Sequence, residues 1–184
     1  MTRSALVLLD YQDNLVDMVR TDPPARVRLA ASAIANIASA LELPSFASVI
    51  PFGVDSPVLL QGVGETLPDL KVVGRNTIEP FAHPESAAAI EALGRPHLVM
   101  AGVFTEIIVL HAARAALSLG YGVTVLADGC GGFGAKSEDV AFHELRAAGA
   151  RVTSIATWSS SQMSAWDAPE AERIGQATAS LLAP

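Results

Sequence analysis

Apolar residues fall along this chain in short unbroken runs, separated by stretches whose apolar positions recur at helical spacing. "ALVLLD" (Ala5–Asp10) is one such run closed by an acid, the pattern of a strand buried on both faces. "SFASVI", "LKVVG", "HLVMAG", "VTVLAD" and "RVTSIAT" read as five more strands. Between them, "PPARVRLAASAIANIASALEL" (Pro23–Leu43) predicts an Ala-rich helix with prolines near its start, where a helix tolerates them. "HPESAAAIEALG", ended by Gly94, and Phe104–Gly120, stopped by "GYG", read as helices, as do "KSEDVAFHELRAAGA" and the tail "APEAERIGQATASLL". "PFGVDSPVLLQGVGETLPD" is punctuated throughout by Gly and Pro and predicts a long loop.

Strands alternating with helices need crossover connections. The predicted fold is therefore α/β: a three-layer α-β-α unit with a six-stranded, mostly parallel sheet of Rossmann-like topology, one domain over residues 1–184. Ligands of such sheets bind at the carboxyl ends of the strands. Those ends fall at Asp10, Ile50, Gly74, Gly102 and Asp128.

Composition narrows the picture. With 51% apolar and 17% charged residues, the chain reads as a compact aliphatic fold rather than a disordered one. A formal charge of −7 argues against a nucleic-acid partner, which needs a basic stripe to neutralise phosphates. No apolar run approaches the roughly 18 residues of a membrane helix. The start "MTRSALVLLD" ends at Asp10 without a small-residue cleavage site, so it predicts a first strand and not a signal peptide. The single cysteine, Cys130, allows no internal disulfide and fits a reducing cytoplasm.

Candidate chemistry gathers at the strand ends. Asp10 closes an apolar strand at the binding edge, where a partly desolvated carboxylate can carry a proton; capping the following turn "YQDN" is the competing role. Arg75, just past the third strand, can orient that carboxylate or hold an anion, or else sit solvated in a loop. The helix that follows Gly102 presents its first N–H groups at the same rim, a place to bind an oxyanion. Phe104, Thr105, Glu106, Ile107 and Ile108 occupy this bend; Thr105, with no base beside it in sequence, reads as a helix cap. Cys130 is either a thiol facing the same crevice or a buried core residue. His83 and His97 read as cap or turn residues, His143 lies mid-helix, and His111 sits one helical turn beyond Ile108, in reach of the site. No pair of histidines has metal-ligand spacing, so neither a metal nor a cofactor is expected.

Three motifs carry a family resemblance: "VLLDYQ", "RNTIEPF" and "AGVFTEIIVLHAARAALSLGYGVTVLADGCGGF". Over nearly its full length the chain resembles the isochorismatase-like hydrolases, the cysteine hydrolase superfamily. The resemblance implies a catalytic set of Asp10, the cation Arg75, and a nucleophile position at Ile108, where relatives carry cysteine. It implies substrate or oxyanion roles for Gln12, Phe104, Thr105, Glu106 and Ile107, with the Ile107 and Ile108 N–H groups as oxyanion donors and a cis peptide between Phe104 and Thr105. Three readings follow: a hydrolase of a small C–N or vinyl-ether substrate working through Asp10 without covalent catalysis, a non-catalytic module binding a small molecule or a protein, and a thiol hydrolase using Cys130. The resemblance further implies a homo-oligomer.

Overall fold

The computed structural model describes residues 3–182. Six strands, β1 (Ser4–Leu9), β2 (Ser45–Val49), β3 (Lys71–Gly74), β4 (His97–Gly102), β5 (Gly122–Leu126) and β6 (Arg151–Thr153), form one sheet. Its order is β3-β2-β1-β4-β5-β6 and every pairing is parallel, so the expected "mostly parallel" sheet is fully so.

Alternation along the central strand β1 divides the core. Leu6 and Leu8 face one apolar layer, built on α2 (Pro24–Ala40), α7 (Ile155–Ser160) and α8 (Ala171–Ser180). Ala5, Val7 and Leu9 face the other, built on α4 (Pro84–Ala92), α5 (Leu110–Ser118) and α6 (Ala135–Ala147). A strand buried on both faces must be apolar at every position, which is why "ALVLL" does not alternate. Pro24 and Pro84 each stand in the first turn of a helix, and His83 caps α4 by accepting from the Ser86 N–H.

The order of strand addition reverses between β1 and β4, with β2 and β3 added on one side and β5 and β6 on the other. The carboxyl ends of β1 and β4 meet at that switch point, the place where ligands of such sheets bind. Gly102 ends β4 there: a Cβ on it would lie 2.1 Å from the Leu9 carbonyl oxygen, so only glycine lets the two strands leave the sheet this close together.

Several elements depart from the sequence reading. The expected loop from Pro51 to Asp69 contains a short helix, α3 (Gln61–Thr66), hidden by Gly62 and Gly64. A one-turn helix, α1 (Asp13–Val16), replaces the turn read at "YQDN". β6 stops at Thr153, because Ser154 accepts a hydrogen bond from the Thr157 N–H at 3.1 Å and starts α7 instead. His97 opens β4 rather than lying in a turn. The helix expected from Phe104 divides into a π-helical turn, Thr105–Val109, and α5.

Candidate active site

Asp10 leaves β1 with φ +56, a left-handed conformation that a non-glycine residue adopts only where its surroundings hold it. Its N–H donates to the Ser48 carbonyl at 3.1 Å, and the Arg75 N–H donates to Val49 at 2.9 Å. Residues following β1 and β3 are thereby tied to the end of β2. Arg75 Nη2 lies 2.6 Å from Asp10 Oδ2, and both side chains are 0% exposed. The Ser48 hydroxyl donates to Asp10 Oδ1 at 2.6 Å. Arg75 Nη1 donates to the Thr77 carbonyl, while its buried Nε has no partner among the described residues.

Burial dominates the electrostatics of this pair. Desolvation raises the Asp10 pKa, against the opposing pull of Arg75 and Ser48. The same desolvation lowers Arg75, against the pull of Asp10. Neither competing sequence reading holds: Arg75 is not a solvated loop residue, and the Asp10 carboxylate caps no turn.

The bend after β4 is built by one carbonyl. Phe104 O accepts from the N–H groups of Ile107 (3.2 Å), Ile108 (2.8 Å) and Val109 (3.2 Å), so the two expected oxyanion donors are already engaged within the turn. The cis peptide lies at Val103–Phe104, one bond before the expected place. Thr105 caps no helix. Its hydroxyl donates to Glu138 at 2.7 Å and its N–H to the Gly131 carbonyl at 3.0 Å. Glu106 Oε1 accepts from Phe133 N–H and from Ser137, pinning the loop after β5 to the bend. Phe104 stacks on Phe133 with ring centroids 4.1 Å apart.

Ile108 is 5% exposed and packs into the apolar layer that includes Leu9 and Cys130. Ile107 lies partly buried against the same layer. Gln12 directs both polar atoms at Ile50, donating through Nε2 at 3.0 Å and accepting through Oε1 at 2.7 Å; it clamps the β1 loop to the end of β2. Cys130 is buried, donates to the Leu126 carbonyl at 3.3 Å, and its thiol is pushed up to about 12 by burial. At neutral pH it holds almost no thiolate. His111 is exposed on α5, not turned into the site.

The structure thus brings Asp10 and Arg75 together and adds Ser48, which sequence reasoning missed. Its only signal was a hydroxyl inside the apolar run "SFASVI", two residues before the strand end. A cavity of about 360 Å³ opens over Arg75, walled also by Pro51, Pro57, Gly74, Asn76 and His83; Asp10 and Ile108 are not in its wall. Among the described residues, no three His, Cys, Asp or Glu converge to hold a metal ion. No helix among them is long and apolar enough to cross a membrane.

Comparison with known proteins agrees with this fold. The isochorismatase domain matches residues 4–157. The chain belongs to the isochorismatase domain family. It is 28% identical over 157 residues to the probable hydrolase YcaC of Escherichia coli, covering 84% of this chain and 74% of that one. The structure of YcaC from Pseudomonas aeruginosa, with hexane-2,5-diol and covalent acrylamide, superposes with a TM-score of 0.91 at 24% identity, covering 99% of this chain and 91% of the other. The E. coli YcaC structure, described as an octameric hydrolase of unknown specificity, superposes with a TM-score of 0.87 at 23% identity, covering 99% and 88%. At such identities these two likenesses speak for the fold alone.

Proposed function

We propose that this isochorismatase-family chain is a small-molecule hydrolase in which Asp10, not a thiol, carries the chemistry, with Ile108 standing at the nucleophile position. The observation that supports it is the buried Asp10–Arg75 pair at 2.6 Å. A buried ion pair is seldom more stable than apolar residues of the same volume, so stability alone gives little reason to keep one. A carboxyl whose pKa is raised by burial is suited to proton donation. The Asp10 carboxyl protonates the departing nitrogen or ether oxygen, the carbon–heteroatom bond breaks as water attacks, and the carboxylate recovers its proton from that water. No covalent intermediate forms. Screening small amides and vinyl ethers tests the assignment. Turnover that is abolished by Asp10→Asn supports it, and turnover that survives the substitution ends it.

A second reading has its own observation. The Asp10 and Arg75 side chains are both sealed from solvent, Ile108 fills the bend, and the adjacent cavity is lined by residues around Arg75, among them Asn76 and His83. That arrangement favours a module that binds a small molecule beside Arg75 without transforming it. Cys130 fits neither reading as a nucleophile, because its thiol is buried and stays protonated. The sequence relationship to E. coli YcaC, whose structure is octameric, supports self-association of this chain, and the lone cysteine supports a cytoplasmic setting.

A further inference from the structure

A cavity of about 430 Å³ lies at the opposite rim of the sheet, among the amino-terminal ends of the strands, far from the chemistry assigned to Asp10. Sheet register builds its floor. Ser4 of β1 pairs with His97 of β4, His97 pairs with Gly122 of β5, and Thr124 of β5 pairs with Arg151 of β6. Arg3 precedes β1, and Trp158 and Gln162 close the wall from α7 and the turn after it.

The lining has one sign of charge. It contains Arg3 and Arg151 and no carboxylate, in a chain whose net charge is −7. Among the described residues neither Arg3 nor Arg151 makes an ion pair. Both arginines are exposed at the mouth of this concavity, where two charges of one sign raise the local concentration of anions. His97 is fixed in place: a Cβ on Gly122 would sit 2.4 Å from its Nδ1, so glycine is what lets the ring lie there. Its Nε2 meets the hydroxyl of Thr124, a residue only 2% exposed, at 2.9 Å. Burial, and then the charge of Arg151, push the His97 pKa down, so at neutral pH the ring is an uncharged hydrogen-bonding group.

We propose that this cavity, walled by Arg3, His97, Thr124 and Arg151, is a binding site for a phosphate-class oxyanion. A planar carboxylate is served by one guanidinium in a two-pronged contact, whereas a tetrahedral dianion takes donors from several sides. Two guanidiniums carried on opposite flanks of His97 and Thr124 match the second geometry. The volume falls within the range of about 300–1,000 Å³ usual for small-molecule sites, so it admits a phosphate ester as well as the free ion.

Calorimetric titration of the full chain with inorganic phosphate, at constant ionic strength set with chloride, tests this. Saturable binding is expected, weakened about tenfold or more by Arg151→Gln and by Arg3→Gln, the loss expected for one charge-assisted bond. Arg146→Gln, on the exposed face of α6, is expected to leave affinity unchanged. A parallel titration with glycerol 3-phosphate separates the two sources. Tighter binding of the ester assigns the spare volume to an organic moiety, and equal affinity assigns the site to the free ion. Absence of saturable binding by either anion overturns the proposal, as does equal weakening by Arg146→Gln, which would reduce the effect to net charge.

Discussion

Ser48 and Asp10 share two hydrogen bonds, one through the backbone and one through the side chains. The Asp10 N–H reaches the Ser48 carbonyl at 3.1 Å, and the Ser48 hydroxyl reaches Oδ1 of Asp10 at 2.6 Å. Arg75 takes the other carboxylate oxygen. The carboxylate is thus held at both oxygens, by a hydroxyl from β2 and a cation from the end of β3. Its orientation is set by the sheet rather than by a mobile loop.

Ser48→Ala removes the hydroxyl and leaves Oδ1 of a fully buried carboxylate without a donor. The expected cost is about 1–3 kcal/mol of stability, read from urea unfolding at pH 7. Because the hydroxyl lowers the Asp10 pKa, the carboxyl should titrate higher still in the variant, as followed by carboxyl-carbon NMR. An unchanged titration would mean that Ser48 does not act on the carboxylate.

Arg75→Ala strands Asp10 without its cation. Breaking a buried pair from one side costs about 3–5 kcal/mol, and the Asp10 pKa should rise beyond its already raised value. Arg75→Lys tests the geometry separately. The ammonium can neutralise charge but cannot hold Asp10 Oδ2 and the Thr77 carbonyl from one planar fork, so rescue should be partial.

The pH dependence has a definite sign. Asp10 binds its proton more tightly in the folded than in the unfolded chain, so it contributes stability below the unfolded carboxylate pKa and loses that contribution as pH rises through the folded value. Asp10→Asn has no such titration. The unfolding free energy of the parent minus that of Asp10→Asn should therefore fall as pH rises from about 4, then level off. A difference that grows with pH across this window would show that Arg75 outweighs burial.

How much of this was legible in the sequence depended on range. Unbroken apolar runs announced the buried strands, because a parallel sheet covered on both faces leaves little other choice of residue. Asp10 stood out because it ends such a run. Ser48 did not, since nothing local separates a strand serine facing a carboxylate from one satisfied by its own backbone. The fate of Arg75 was equally hidden: a loop arginine becomes a buried ion-pair partner only when β3 is laid beside β2. The bend at Phe104 was misread for a related reason. Helical periodicity continues across Thr105–Val109, and the convergence of three N–H groups on one carbonyl is a backbone event that residue types do not signal.

Ile108→Cys asks whether the bend remains an active-site architecture. Replacing a buried isoleucine with the smaller cysteine should cost about 1–3 kcal/mol through lost packing. The new thiol would lie in the turn that follows β4, at the same rim of the sheet as Asp10. Cys130 supplies the internal control, since a thiol at about 12 and sealed from solvent should react with acrylamide only as the chain unfolds. A retained active-site bend would appear at pH 7.5 as rapid modification of one thiol per chain in Ile108→Cys and none in the parent, read by intact mass; no modification of either would mean that position 108 is as sealed as Cys130. Gain of amidase turnover in the same variant would show a pocket complete except for its nucleophile. Rapid labelling of Cys130 in the folded parent would contradict the burial on which both statements rest.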